Sequence, residues 1–322
     1  MRMMILAITL TFILLTGCSG GGFFKGKTDT IQTYNFRSGT QGISMAFMDG
    51  MPPKQVYIGT DFSTGLKIKN MGAYDITGNA DITLVTPDKS AFSFKGNTDS
   101  QTFMLKGKSL YLKEGEENVV IFPMRSLCFP GYDGTRKSVI TNYTRKLKAR
   151  ACYYYETKAN ADICIDTQKF TRQSSDKPVC TMKDLKLSGG QGGPVGIVSI
   201  SPTIIPQGTD KTTVQLGVSI SKLQGMDHQV FHPSNGCNID YQNKITVAVE
   251  MGGKPLTCTP TEVQLKEKAS VGTICKIDVD SRLGAYKSPV GVTMKYYVQQ
   301  SLLKDVTIEP PPGGVDCNAI KS

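Results

Sequence analysis

The stretch YYYETKANADICID at residues 153–166 overlays without a gap on YYVQQSLLKDVTIE at residues 296–309. Both stretches begin with two tyrosines, and Asp162 aligns with Asp305. Two shorter matches occur in the same order in each half, Gly-Thr-Asp at residues 59–61 and 208–210 and Leu-Lys-Glu at residues 112–114 and 265–267. Ordered self-similarity predicts a duplicated domain, and we expect each copy to close on one hairpin.

Hydrophobic and polar residues alternate along much of the chain. The clearest alternating runs are Phe62, Thr64, Leu66 and Ile68 in the first half and Val214, Leu216, Val218 and Ile220 in the second. A period of two predicts a half-buried strand, and residues 119–124, 245–249 and 290–298 are further candidates. Glycine and proline separate these runs. The predicted fold class is all-β, with two tandem immunoglobulin-like antiparallel β-sandwich domains.

Glycine-rich and proline-rich segments set the predicted domain boundaries. Residues 188–194 (SGGQGGP) have the composition of a flexible linker, and residues 310–314 (PPPGG) end the second repeat. The predicted divisions are a signal peptide at 1–17, an anchored tether at 18–36, a first sandwich at 37–170, a linker at 171–194, a second sandwich at 195–310 and a tail at 311–322.

The N-terminus has the pattern of an export signal. Arg2 precedes an apolar run from Met3 to Leu15, which is shorter than the ~20 residues of a membrane-spanning helix. The following Leu15-Thr16-Gly17-Cys18 resembles the lipobox of prokaryotic lipoproteins, which implies a lipid on Cys18 and attachment to a membrane. The alternative is a plain signal peptide or uncleaved anchor in which Cys18 is incidental. Both interpretations predict an extracytoplasmic location at the cell surface or envelope.

Basic residues outnumber acidic ones by ten, which favours anionic neighbours. Lysine and arginine concentrate in residues 136–150, where no acid occurs. Alternation puts Lys146, Lys148 and Arg150 on the outward face of one strand. These three cations predict weak, salt-dependent binding to acidic envelope glycan, lipid headgroups or another surface protein. The alternative is a solvated face that only keeps the protein soluble.

Asn142-Tyr143-Thr144 is a sequon for N-glycosylation, and a glycan on Asn142 would cover the same face as the three cations. Nucleic acid is not an expected partner for an exported protein. No cofactor is predicted.

Eight cysteines follow Cys18, an even number that predicts up to four disulfides in an oxidising compartment. Without a Cys-x-x-Cys pair, zinc is the weaker interpretation. Cys152 and Cys164 lie symmetrically about Lys158 in a predicted hairpin, which predicts a disulfide between them. The other predicted pairs are Cys258–Cys275, which flanks a predicted turn, and, by elimination, Cys128–Cys180 and Cys237–Cys317.

Four patterns suggest chemistry but have simpler explanations. Residues 21–28 (GGFFKGKT) match a phosphate-binding loop, yet they follow the export signal rather than a core strand. His228 and His232 have metal-ligand spacing only on a helix, and Pro233 favours a loop. Asp278 and Asp280 supply too few oxygens for calcium. Tyrosines 153–155 suggest a sugar-stacking platform, but alternation buries the first and third of them.

One resemblance connects the chain with known surface proteins. The alternating strand in residues 62–72 runs into Lys69-Asn70-Met71-Gly72 and is similar to the strand and Asn-x-Gly turn of CARDB-like immunoglobulin-like modules in prokaryotic cell-surface proteins. The second copy departs from this pattern, with residues 221–225 reading SKLQG. The resemblance implies adhesion or spacing. We therefore predict a non-catalytic, envelope-anchored binding, adhesion or scaffold protein; the alternatives are a subunit of a surface assembly and a secreted enzyme of unrecognised class.

Overall fold

The computed structural model describes residues 35–78, 80–86, 89–96, 98–132, 142–173, 177–223 and 228–320. Within these ranges the regular structure consists of β-strands and short 3-10 turns, which confirms the predicted all-β class. The strands of the first half are β1 (Ile43–Phe47), β2 (Gln55–Tyr57), β3 (Asp61–Asn70), β4 (Ala80–Val85), β5 (Phe92–Phe94), β6 (Ser100–Thr102), β7 (Glu117–Ser126) and β8 (Tyr143–Asp166).

The second half continues the same kind of structure. Its strands are β9 (Leu185–Lys186), β10 (Val195–Pro206), β11 (Lys211–Lys222), β12 (His228–Phe231), β13 (Lys244–Met251), β14 (Lys254–Pro255), β15 (Thr257–Thr259), β16 (Glu262–Gln264), β17 (Val271–Asp280) and β18 (Ala285–Glu309). The 3-10 turns lie at Ile239–Tyr241 and Ser281–Leu283.

The predicted alternation of burial is present in the strands. In β3, Leu66 and Ile68 are fully buried while Lys67 between them is exposed. In β11, Val214 and Leu216 are likewise buried. Period-two sequences therefore place one face of each strand in the core, and these strand predictions are confirmed.

The strands form three sheets, in which the named pairs are antiparallel except for the parallel pairing of β2 with β18. One outer sheet has the order β1-β3-β7-β5, and the other has the order β9-β10-β11-β17-β15. The central sheet has the order β14-β13-β18-β8-β4-β6, with β12 and β2 also pairing with β18 and β16 pairing with β13. Buried residues of the outer sheets and the central sheet belong to one hydrophobic core.

The two outer sheets repeat each other, as the sequence duplication predicts. The order β1-β3-β7-β5 corresponds to β10-β11-β17-β15 in the second copy. The copies also share an ion pair: Lys69 Nζ lies 3.0 Å from a Glu114 carboxylate oxygen, and Lys222 Nζ lies 3.0 Å from one of Glu267. Each copy therefore contributes one outer sheet and one half of the central sheet.

The two halves meet along β8 and β18, which pair antiparallel over nearly their whole length. Tyr154 pairs with Tyr297, the same residue with which the sequence overlay aligns it. A local two-fold axis therefore passes beside this pair and relates one strand to the other. The predicted hairpins are wrong, because β8 is a continuous strand of 24 residues. Alternating burial continues without a turn past Lys158, where a hairpin was expected, with Thr157 and Ala159 both buried.

The continuous strand also corrects the predicted disulfides. Cys152 and Cys164 lie twelve residues apart on β8, which is about 40 Å at ~3.3 Å per residue, so they cannot meet. Cys152 is bonded instead to Cys237, and Cys164 to Cys180. Because Cys180 and Cys237 are bonded to Cys164 and Cys152, the predicted pairs Cys128–Cys180 and Cys237–Cys317 are also wrong. Cys128 is bonded to Cys317 instead. The predicted Cys258–Cys275 bond is confirmed, because these residues face each other across β15 and β17.

The segment predicted as a flexible linker is packed against the body. Gly192 N donates to Gly39 O at 2.9 Å, and the Tyr155 hydroxyl donates to Gly192 O at 2.6 Å. The residues from Gln191 to Pro194 are buried. The domain boundaries drawn from the sequence stay a prediction, but the connection between the copies is held by specific hydrogen bonds. Residues 35–322 cluster as one unit.

In the part of the chain that the structure describes, no helix has the length and apolar character needed to cross a membrane.

Candidate functional site

Three basic side chains stand in line on the outward face of β8. Leu147 and Ala149 are fully buried, whereas Lys146 is exposed and Lys148 and Arg150 are half-buried. Because successive side chains of a strand point to opposite faces, the three cations share one face, as the sequence predicted. Alternate residues of a strand lie about 6–7 Å apart, so the cations span about 13 Å. We call this row the basic stripe.

The neighbouring strands give the basic stripe an acid at one end and hydroxyl groups at the other. Lys146 pairs in register with Asp305 on β18, and its Nζ lies 3.9 Å from an Asp305 carboxylate oxygen, with both side chains more than half exposed. An exposed pair of this kind contributes about 0–1 kcal/mol, so Lys146 stays available to another anion. Arg150 lies between Thr83 on β4 and Ser301 on β18.

The buried Nε of Arg150 has no hydrogen-bond partner among the described residues. Lys148 and Arg150 form no ion pair with another described side chain. The accessible parts of the Lys146, Lys148 and Arg150 side chains can therefore offer cationic donors to an anionic polymer that lies along the strand. Asn142, the predicted glycosylation site, is exposed immediately before β8 begins.

The tyrosines farther along β8 are core residues rather than an open platform. Tyr153 and Tyr155 are fully buried, and the Tyr153 hydroxyl accepts from Ile43 N at 3.2 Å. Tyr154 is half-buried between Tyr74 and Tyr297, whose rings meet it edge to face. Burial raises the pKa of Tyr154 to about 12. The buried pair cannot stack on a sugar, so this alternative loses its main support.

A polar cleft of about 280 Å³ lies next to these rings. Arg37, Lys108 and Lys158 line it together with acidic Asp75 and Glu156. Lys158 Nζ lies 2.8 Å from a Glu156 carboxylate oxygen, and the Asp75 carboxylate accepts from Gly107 N at 2.7 Å. The charges in the cleft are thus largely compensated within it, which suits a structural role better than capture of an anion.

The two histidines do not form a shared site. His228 is buried in β12, whereas His232 lies just beyond that strand, with its Nδ1 3.0 Å from the side-chain oxygen of Asn235. Its Nε2 lies 3.4 Å from a Glu262 carboxylate oxygen. Cys237 is in a disulfide and is unavailable to a metal. Among the described residues, no group of three or more potential metal ligands occurs.

The acidic pair at the end of β17 is occupied by basic neighbours. Asp278 lies 2.8 Å from Lys211 Nζ and accepts from the Thr213 hydroxyl at 2.6 Å. Asp280 lies 2.7 Å from an Arg282 nitrogen, and the guanidinium hydrogen bond lowers the pKa of Asp280 to about 2. Both acids are neutralised locally, which disfavours calcium binding.

Three sequence predictions lie outside the described residues. These are the signal peptide at 1–17, the lipid-accepting Cys18 and the glycine-rich match to a phosphate-binding loop at residues 21–28.

Sequence reasoning overlooked the loop between Leu105 and Glu116. Leu110 is 60% exposed and Tyr111 is 98% exposed at its tip. The signal was present in the sequence KGKSLYLKE at residues 106–114, where Leu110, Tyr111 and Leu112 lie between lysines in a segment without strand alternation.

The four disulfides indicate an oxidising, extracytoplasmic compartment. Two of them, Cys128–Cys317 and Cys152–Cys237, join the first copy to the second. The disulfide-rich all-β fold fits an extracellular domain.

No protein family and no curated protein matches this chain. Among solved structures, a conserved protein of unknown function from Pseudomonas aeruginosa has 7% identity over 76% of this chain and 80% of its own length, with a TM-score of 0.10. Escherichia coli alpha-2-macroglobulin activated by porcine elastase has 12% identity over 83% of this chain and 32% of its own, with a TM-score of 0.15. The native conformation of the same Escherichia coli protein has 10% identity over 86% of this chain and 17% of its own length, with a TM-score of 0.13. Scores this low carry no argument about function.

Proposed function

We propose that the protein is a non-catalytic binding or scaffold protein, anchored to the envelope by a lipid on Cys18, that docks onto acidic envelope polymers through the basic stripe. The observation that carries the proposal is the alignment of Lys146, Lys148 and Arg150 on one face of β8. Among the described ion pairs, only Asp305 contacts the row, through Lys146.

The surrounding fold holds the backbone of β8 in a fixed position. β8 is held between β4 and β18, and a disulfide at Cys152 fixes it to the second copy. A rigid row of cations loses little conformational freedom when a linear anion lies along it. Each exposed contact contributes only ~0.2–1 kcal/mol, so binding needs several contacts and weakens as salt screens them.

The test uses the full lipid-bearing protein in vesicles of neutral phosphatidylcholine. Labelled acidic polysaccharide from the envelope of the source cells is added at low and high salt. The triple variant Lys146→Glu, Lys148→Glu and Arg150→Glu is expected to lose the low-salt binding that the parent shows.

A matched triple variant, Lys254→Glu, Lys268→Glu and Lys287→Glu, makes the same charge change at exposed positions elsewhere. It is expected to retain binding. Equal binding by the stripe variant and this control would mean that the stripe is not a docking surface. Vesicles that contain phosphatidylglycerol, tested without polysaccharide, distinguish lipid headgroups from glycan as the anion.

A further inference from the structure

The loop between Leu105 and Glu116 presents two large apolar side chains to solvent. Leu110 is 60% exposed and Tyr111 is 98% exposed. Lys106 and Lys113 on either side of the tip are also exposed. An apolar tip flanked by lysines matches the chemistry of a membrane interface, where tyrosine sits at headgroup level and lysines reach the phosphates.

Backbone and side-chain hydrogen bonds within the loop fix the exposed position of this tip. The Ser109 hydroxyl accepts from Leu112 N at 3.0 Å, and Ser109 N donates to Leu112 O at 2.9 Å, which closes the turn. At the base, Lys108 N donates to Gly72 O at 2.7 Å, and Glu116 N donates to Lys106 O at 2.9 Å. The chain therefore holds Leu110 and Tyr111 away from the core at a fixed position.

The second copy provides an internal comparison. When the Leu-Lys-Glu tripeptides at residues 112–114 and 265–267 are aligned, Leu110 corresponds to Val263 and Tyr111 corresponds to Gln264. Val263 is 3% exposed within β16, and Gln264 is polar. The apolar tip is thus a property of the first copy and is not required by the fold that the two copies share.

The position of the loop connects it with the membrane anchor. Lys108 and Ser109 line the same cleft as Phe36 and Arg37. The described body begins at Asn35, one residue before Phe36, so the first described residues lie beside the base of this loop. Residues 18–34 number 17, and a chain of that length spans at most about 60 Å, so a lipid on Cys18 would keep the base of the loop within that distance of the membrane.

We propose that Leu110 and Tyr111 insert into the interface of the lipid bilayer and orient the body on the membrane to which the chain is anchored. This inference rests on the proposed lipid anchor at Cys18. Lys106 and Lys113 would then contact lipid phosphates from either side of the tip, and the insertion of both apolar side chains removes their surface from water.

The absence of tryptophan from the chain permits a site-specific test. The full lipid-bearing protein is prepared as Y111W and, as the matched control, as Q264W at the corresponding position of the second copy. Each is added to vesicles of phosphatidylcholine and phosphatidylglycerol, with and without brominated acyl chains. Flotation of the vesicles measures anchoring in the same samples.

The Y111W protein is expected to shift its emission to shorter wavelength and to be quenched by brominated lipid. The Q264W protein is expected to keep the emission of a tryptophan in water. If both proteins float with the vesicles and Y111W is quenched no more than Q264W, the loop does not insert and only this inference fails. If neither floats, the proposed anchor fails as well, and the inference is overturned with it.

Discussion

Cys152 Sγ is bonded to Cys237 Sγ, which ties the middle of β8 in the first copy to the loop after β12 in the second. Their Cα atoms are 6.1 Å apart, although 85 residues separate them in sequence. Cys152 lies on the same strand face as the basic stripe, two residues beyond Arg150. It belongs to the part of β8 that pairs with β18, where the two copies meet.

Removal of this bond is expected to destabilise the protein more than removal of a short-loop disulfide. On the chain-entropy account, closing an 85-residue loop contributes about 4–5 kcal/mol, against about 3 kcal/mol for the 16 residues between Cys164 and Cys180. The double variants Cys152→Ala/Cys237→Ala and Cys164→Ala/Cys180→Ala form the matched pair. Free energies of unfolding in guanidinium chloride check the order, and a larger loss in the second variant would contradict it.

The Tyr155 hydroxyl is expected to stabilise the connection between the copies. It donates to Gly192 O at 2.6 Å in a fully buried position. Tyr155→Phe leaves that carbonyl with one partner fewer and is expected to cost about 1–3 kcal/mol of unfolding free energy. Tyr154→Phe, on the half-buried neighbouring ring, is the control and should change stability much less. Equal losses of unfolding free energy in the two variants would show that the hydrogen bond from Tyr155 to Gly192 does not add to stability.

Two neighbouring glycines test whether residues 188–194 are packed in solution. Gly189 and Gly190 both have positive φ values, of 80° and 71°, so alanine incurs the same backbone strain at each. A Cβ at Gly190 would lie 2.2 Å from Gly39 O, whereas a Cβ at Gly189 meets nothing within 4 Å. Gly190→Ala is therefore expected to lower the unfolding free energy by about 1–3 kcal/mol more than Gly189→Ala. Thermal unfolding of both variants supplies the comparison, and identical melting would indicate a loose linker.

The buried tyrosines predict instability in alkali. Burial raises the pKa of Tyr154 to about 12 and raises the pKa of Tyr153, Tyr155 and Tyr296 above its ordinary value. In the unfolded chain these groups ionise near pH 10, so above that pH the unfolded state binds fewer protons than the folded state. The stabilisation is complete below pH ~10 and is lost as the pH rises towards the folded-state pKa values.

Tyrosinate absorbance, followed together with circular dichroism, measures this loss. A late group of tyrosines is expected to ionise only as the sheets unfold. Ionisation of every tyrosine near pH 10 with the fold intact would be incompatible with the buried hydroxyls. Tyr155→Phe should reduce the late absorbance step by one group.

The proposed lipid on Cys18 predicts a mass signature. If residues 15–18 act as a lipobox, the protein purified from membranes is expected to begin at Cys18 and to carry a diacylglyceryl increment. Cys18→Ala should yield unprocessed or released protein without that increment. Intact-mass spectrometry decides the matter, and wild-type protein that begins at another residue, free in the medium, rules the anchor out.

Local pattern was sufficient for the strands and for the basic stripe. Burial at Leu66 and Ile68 and exposure at Lys146 follow from alternation, which depends on neighbours two residues away. Whether Asp305 would face Lys146 could not be predicted, since the pairing partner lies in the other copy. The apolar residues Leu110 and Tyr111 are visible in the sequence, but their exposure could not be predicted without knowing which other apolar side chains fill the core.

The disulfides show where local reasoning fails. A strand of 24 residues is far longer than the usual five or six, so a turn near Lys158 was the natural expectation. The long strand is stabilised by β18, which is remote in sequence. Cys258 and Cys275 were predicted correctly because their two strands, β15 and β17, lie close together in the same copy.

Because β8 is made well before β18, the pairing of these two strands is delayed during synthesis. From Asp166 at the end of β8, another 118 residues must be made before Ala285 begins β18. At about 5–20 residues per second, β8 waits roughly 6–24 s with one edge unpaired. An unpaired edge of that length is a template for aggregation. The native bond of Cys152 can likewise form only after Cys237 has been made, so the first half of the chain has neither its strand partner nor this disulfide until the second half follows.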